Sequence, residues 1–81
     1  MGTVHVIKSV KIYLYSGDHN PPHIHAIYAE HEILLEVKSG EIIRGYLPKT
    51  QLQEVAEWLD SPDVKKVLVE AFHKLNPQLR H

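Results

Sequence analysis

The sequence predicts an α+β fold, in which an antiparallel sheet of four to five strands is followed by two helices that pack on one sheet face. In the first 47 residues, short segments alternate apolar and polar residues, as strands with one buried face do. After Thr50, apolar residues recur every three or four positions, which is the helical period. The chain has 81 residues, and we expect residues 1–81 to form a single domain.

The alternation assigns the strand residues to two faces. The predicted strands cover residues 3–8, 10–15, 23–29, 32–38 and 41–46. We expect the apolar positions of the first three strands to face the helices: Val4, Val6, Val10, Ile12, Leu14, Ile24 and Ala26. The opposite face then carries a patch of aromatic and imidazole rings: His5, Tyr13, Tyr15, His23 and His25. Such a patch suits the binding of a partner, a base or an ion.

The turn between the last two strands has two possible registers. Ser39-Gly40 as a two-residue hairpin pairs Lys38 with Glu41, which is a favourable charge pair. The same register, however, places Arg44 on the side of the core. A bulge that turns Ile43 inward is the alternative.

Two helices with apolar stripes complete the predicted fold. Thr50 is the expected N-cap of the first helix, with Gln53 three residues later in a capping-box pattern. Ser61 and Pro62 begin the second helix as cap and first residue. Asn76-Pro77 ends it. The expected core stripes are Leu52, Val55, Ala56 and Leu59, and then Val64, Val67, Leu68, Ala71, Phe72 and Leu75.

The composition excludes several classes of protein. The chain has no cysteine, which rules out disulfides, thiolate metal sites and a cysteine nucleophile and fits a reducing cytoplasm. The formal net charge is −1 without a block of either sign, so the charge does not support nucleic-acid binding. We see neither a secretory signal nor an apolar run that could span a membrane, and we expect a cytoplasmic protein.

The segment from Asp18 to His25 carries the sharpest functional pattern. Pro21 and Pro22 restrict the backbone and lack N–H donors, so this loop is stiff and fixes the entry of the next strand. His23 and His25 are two apart in that strand and project to the same face. His19 can reach the same point if the loop folds back, and Asp18 can orient one ring.

Several interpretations of this cluster remain open at the level of sequence. It is purely structural, it binds a protein or nucleic-acid partner, or its rings His19, His23 and His25 bind a divalent metal such as zinc. A metal site would make the protein a small hydrolase or nuclease. Catalysis without a metal has the least support, because no nucleophile stands out.

The run from Tyr13 to His25 resembles the signature of a family of small bacterial proteins, domain of unknown function 4160. The resemblance extends over almost the whole chain and covers the positions Asp18, His19, Pro21, Pro22, His23 and His25. It implies a bacterial, cytoplasmic protein that works with the product of a neighbouring gene, as in toxin–antitoxin-like pairs. It names no catalytic residue.

These observations favour an interaction or regulatory module with the rigid His-Pro loop as its contact site. The expected partner is a small protein, and self-association is a further possibility because so short a chain has a thin core. The candidate binding residues are Asp18, His19, Pro21, Pro22, His23, His25, Tyr13, Tyr15 and His5. The metal-dependent hydrolase or nuclease is the alternative.

Overall fold

The computed structural model describes residues 3–15 and 21–77. Within them, five strands come first: β1 (Thr3–Ile7), β2 (Val10–Leu14), β3 (His23–Tyr28), β4 (His31–Glu36) and β5 (Ile42–Gly45). Two helices follow, α1 (Lys49–Leu59) and α2 (Pro62–Leu75). The strands form one antiparallel sheet in sequence order, which confirms the predicted α+β fold.

The hydrophobic core lies between one face of the sheet and the two helices. The alternating residues of the inner strands supply the sheet side. Val10, Ile12, Leu14, Ile24 and Ala26 are buried as predicted, and β4 adds Ile33 and Leu35. The helices contribute Val55, Leu59, Leu68 and Phe72. The predicted helix stripes are too wide, because Ala56 is exposed and the Val67 side chain is 63% exposed. We call the opposite sheet face, which no described helix or strand covers, the open face.

Two tight turns set the register of the first four strands. Lys8 and Ser9 connect β1 to β2, so that Ile7 pairs with Val10. Ala29 and Glu30 connect β3 to β4, so that Tyr28 pairs with His31. The first residue of each turn has a positive φ, 52° at Lys8 and 53° at Ala29. Both residues therefore occupy the left-handed region that favours glycine.

The β4–β5 connection differs from the predicted two-residue hairpin. Leu35 pairs with Ile42, and the Glu36 N–H donates to the Glu41 carbonyl over 2.9 Å. A four-residue turn, 37–40, therefore replaces the expected Ser39-Gly40 hairpin. Val37 is fully buried in the core, and its N–H donates to the Pro22 carbonyl next to β3, so Val37 does not pair with Ile42 as the hairpin would require.

The expected bulge is present, but its consequence for Ile43 is different. The register shifts between Leu34 and Leu35, because Leu34 pairs with Arg44 rather than with Ile43. The Ile43 side chain remains 47% exposed, so the prediction that it turns inward is wrong. An edge strand has no neighbour on its outer side that could bury the extra residue.

The helix termini confirm one predicted cap and correct the other. The Ser61 hydroxyl accepts from the Val64 N–H over 3.5 Å, with Pro62 as the first helical residue, and Asn76 ends α2. Helix α1 instead begins at Lys49 after Pro48, without a side-chain cap, so Thr50 lies inside the helix. Neither described helix is long and apolar enough to cross a membrane.

Candidate functional site

Four rings lie next to one another near the end of β2 and the start of β3. The Tyr13 and Tyr15 rings are parallel within 2°, with centroids 5.9 Å apart. The Tyr15 ring meets the His25 ring edge-on at 4.5 Å, and the His25 and His23 centroids are 5.3 Å apart. We call Tyr13, Tyr15, His25 and His23 the ring row. The structure thus brings four of the predicted site residues together.

The pairing of β2 with β3 explains why these rings meet. Tyr13 lies directly opposite His25. Their neighbours Ile12 and Ala26 are buried under the helices, so the alternation of side chains places Tyr13 and His25 on the open face. Tyr15 follows two residues after Tyr13 and reaches His25 diagonally, which is within range for aromatic side chains.

His25 is oriented by an acidic residue of the next strand. Its ring Nδ1 lies 3.1 Å from the Glu32 Oε2 atom. A carboxylate can only accept, so the His25 Nδ1 carries the proton in this contact. The His25 side chain is 13% exposed and the Glu32 side chain 49%, which puts this hydrogen bond at the surface of the open face.

His23 belongs more to the core than to the surface. The residue is 6% exposed, and its ring centroid lies 5.5 Å from that of Phe72, a fully buried residue of α2. The His23 Nδ1 donates to the Pro21 carbonyl over 2.8 Å. His23 therefore connects the ring row to the core and holds the Pro21 backbone, which is a structural role.

The two prolines occupy different environments. Pro21 is exposed, whereas Pro22 is buried. The Pro22 carbonyl accepts from the Val37 N–H over 3.0 Å, which ties the start of β3 to the residue after β4. Pro22 joins this pairing through its carbonyl alone, because proline lacks an N–H group. The prolines thus fix the end of the strand that carries His23 and His25.

Asn76 is a residue of the site that the sequence reasoning did not identify. It is fully buried, and its Nδ2 donates to the Tyr15 carbonyl over 3.1 Å and to the Phe72 carbonyl over 3.0 Å. These bonds hold the backbone of the ring row against the end of α2. The sequence marks Asn76 only as a helix end, and Tyr15 is 61 positions away.

His5 lies on the opposite face from the one predicted. It pairs with Ile12, a core residue, and its ring stacks on Trp58 of α1 with centroids 5.1 Å apart and planes 10° apart. Val6, expected under the helices, is 56% exposed. The Lys8-Ser9 turn causes this exchange of faces. It pairs Ile7 with Val10, a core residue, so Ile7 and His5 lie on the helix side of β1 and Val6 lies on the open face.

The stacked rings of His5 and Trp58 form one wall of a shallow groove between β1 and α2. The groove has a volume of about 370 Å³ and a mainly apolar lining. His5 is thus separated from the ring row by the sheet.

Two predicted site residues, Asp18 and His19, lie outside the described residues. In residues 3–15 and 21–77, no group of three or more histidine and acidic side chains could hold a metal ion. In a neutral ring that donates from Nδ1, the lone pair that can bind a metal is on Nε2. His23 and His25 both donate from Nδ1, so each could supply one ligand.

The fold and the site define a class: a small α+β domain in which helices cover one sheet face and a row of rings lies on the other. The chain belongs to the family described as Domain of unknown function (DUF4160), whose model matches residues 9–73. The match includes the ring row and both prolines and leaves out β1 with His5. The comparisons with curated proteins and with solved structures each returned no match.

Proposed function

We propose that this chain is an interaction module that binds a small protein partner through the ring row and the adjoining double proline. The observation that carries the proposal is the contiguous contact of four rings, three of which, Tyr13, Tyr15 and His25, lie on the open face. Aromatic side chains dominate the binding energy of protein interfaces when they form a cluster.

The packing of the ring row supports binding because it orients the rings in advance. The Tyr15 ring packs against the Tyr13 and His25 rings, and the His25 ring is held through its Nδ1 by Glu32. Side chains already held in one orientation lose little conformational entropy on association. The Tyr15 side chain, 36% exposed, remains accessible to a partner.

The choice of partner rests on the family resemblance. It implies a bacterial, cytoplasmic setting and a gene pair of the toxin–antitoxin type, so we propose the product of the neighbouring gene as the partner. The net charge of −1 fits a protein partner better than nucleic acid.

The experiment measures the affinity of the purified pair by calorimetry. We expect a complex with a micromolar or lower Kd, and Tyr15→Ala should raise this Kd at least about tenfold. Tyr46→Ala is the matched control, because Tyr46 is also an exposed tyrosine, 63% exposed, but follows β5 away from the ring row. Separate proteins at about 100 µM, or equal losses in both variants, would refute the proposal.

A metal-dependent hydrolase or nuclease is the second candidate. It is favoured by the orientation of His23 and His25, whose Nδ1 atoms both donate to an acceptor as in metal-binding histidines. His19 is the proposed third ligand. A divalent ion held in this way would supply a bound water of lowered pKa.

Elemental analysis of the untagged protein tests this second candidate. We expect about one zinc per chain and its loss in His25→Ala, with His73→Ala as a control on α2. Protein that contains no metal after incubation with zinc would exclude the metal site.

A further inference from the structure

The outer edge of the sheet at β5 concentrates exposed apolar side chains. In the described part of the chain, six large hydrophobic residues are exposed, and three of them lie within residues 42–46. They are Ile42 at 53%, Ile43 at 47% and Tyr46 at 63% exposure. An edge strand also presents unpaired backbone groups, so such an edge tends to pair with another chain.

The two charged residues beside these isoleucines face the same way because of the bulge. Arg44 pairs with Leu34 and therefore lies on the open face. The Glu36 N–H bond to the Glu41 carbonyl places Glu41 opposite Glu36, whose side is also the open face. In a regular strand, residues three apart point to opposite faces. The extra residue of the bulge shifts the alternation by one position, so that Glu41 and Arg44 face the same way.

We infer that a second copy of this chain pairs with β5, antiparallel and about a two-fold axis perpendicular to the sheet. The segment Glu41-Ile42-Ile43-Arg44 is self-complementary in this arrangement. Glu41 of each copy lies opposite Arg44 of the other, and Ile42 lies opposite Ile43. The axis keeps both charged pairs on the open face, which requires the bulge.

Charge favours a second copy over an unrelated strand. Glu41 and Arg44 are both exposed, and within residues 3–15 and 21–77 neither side chain has an ion-pair partner. Two copies supply two complementary pairs with no unpaired charge left in the contact. Since the symmetric contact uses each β5 edge once, the assembly closes as a dimer and does not grow into a filament.

Sedimentation of the untagged chain over a concentration series from about 10 µM to 1 mM tests the dimer and its charge pairs. Glu41→Arg and Arg44→Glu each place like charges opposite one another twice. Each should raise the dimer Kd at least about tenfold. The double variant E41R/R44E restores both pairs and should recover the wild-type Kd.

Mixing the Glu41→Arg and Arg44→Glu variants is the most specific test of the charge pairs. At positions 41 and 44, the Glu41→Arg variant carries only positive charge and the Arg44→Glu variant only negative charge. Opposite charges then meet twice across the contact, so a mixed dimer should form although neither variant dimerises well alone. A wild-type chain that stays monomeric throughout the series overturns the inference. So does a dimer that both single variants leave unchanged.

Two further variants separate this surface from the others. Ile43→Lys should abolish the dimer, whereas Val67→Lys, the same kind of change at an exposed position on α2, should leave it intact. Circular dichroism of each variant shows whether it folds. Tyr15→Ala should also leave the dimer intact, because the inference does not depend on the ring row. Loss of the dimer in Tyr15→Ala or Val67→Lys with a normal spectrum would contradict the β5 contact.

Discussion

Asn76 joins the end of α2 to the strand that carries the tyrosines. Its side-chain amide donates to the carbonyls of Tyr15 and Phe72 from a fully buried position. An amide suits this place because its N–H groups can donate to both carbonyls, although the Phe72 carbonyl also accepts from the Asn76 backbone N–H over 2.9 Å. The Tyr15 end of the ring row is thus tied to a side chain 61 positions later in the chain.

Asn76→Asp should lower the free energy of unfolding by about 2–4 kcal/mol, although the two side chains have nearly the same shape. The carboxylate has no N–H to donate, and it lies beside two carbonyl oxygens. Urea unfolding measures the loss. Gln53→Glu, an amide-to-acid change at an exposed position of α1, should stay within about 0.5 kcal/mol of wild type. An equally stable Asn76→Asp variant would show that the amide does not hold this contact.

Ala29 occupies a backbone conformation that suits glycine better than alanine. Its φ of 53° brings Cβ close to the backbone, and glycine removes that contact. Ala29→Gly should therefore raise the free energy of unfolding by roughly 0.5–1 kcal/mol. The same change at Ala56 inside α1 should lower it by about 1 kcal/mol. Thermal unfolding of both variants measures the two changes in stability. If both variants change stability in the same direction, Ala29 does not have a positive φ.

At the scale of elements, the two helices begin in physically different ways. Helix α2 has a side-chain cap at Ser61 and a proline at its first position. Helix α1 begins after Pro48, and the Leu52 N–H donates to the Pro48 carbonyl over 2.9 Å. The capping pattern at Thr50 thus lies too late in the chain to be used.

Ser61→Ala and Thr50→Ala should therefore differ, although the sequence predicts a cap at both positions. The loss of the α2 cap should lower the free energy of unfolding by about 1 kcal/mol. Thr50→Ala should be neutral or slightly stabilising, because alanine is the better helix former inside a helix. Denaturant titration compares the two. Equal losses would mean that Thr50 does cap α1.

The strand elements show why periodicity alone does not choose a face. In β1 both alternating sets contain apolar residues, Val6 in one and Ile7 in the other, so the pattern allows either orientation. The Lys8-Ser9 turn decides between them, and lysine is not a residue typical of a turn position with a positive φ. In β2 and the first half of β3 the aliphatic residues fall in one set only, and there the predicted face is confirmed.

At the scale of the whole molecule, Lys65 links the helices to the sheet. Its ammonium donates to the Val37 carbonyl over 2.8 Å and to the Lys38 carbonyl over 3.1 Å, from a partly buried position on α2. These bonds supply donors to carbonyls of the β4–β5 turn. The turn that leads into β5 is thereby fixed by a residue 27 positions later in the chain.

Lys65→Met should lower the free energy of unfolding by about 1–2 kcal/mol, because methionine keeps the apolar stem but removes both hydrogen bonds. Lys66→Met, the exposed neighbour, should change it by no more than about 0.5 kcal/mol. Urea unfolding with tryptophan fluorescence at Trp58 follows both variants. If the two substitutions have the same effect, Lys65 does not stabilise the turn.

The sequence by itself determined the order of the elements, the α+β class, the core residues of β2 and β3 and the double proline before the histidine pair. These properties depend on neighbours in sequence, through side-chain period and backbone restriction. Only the tertiary structure decided the face of His5, the bulge in β5 and the contacts of Asn76 and Lys65. These features depend on how a turn sets the register of two strands and on which carbonyls lie within reach of a distant side chain. Neither can be read from residues that are neighbours in sequence.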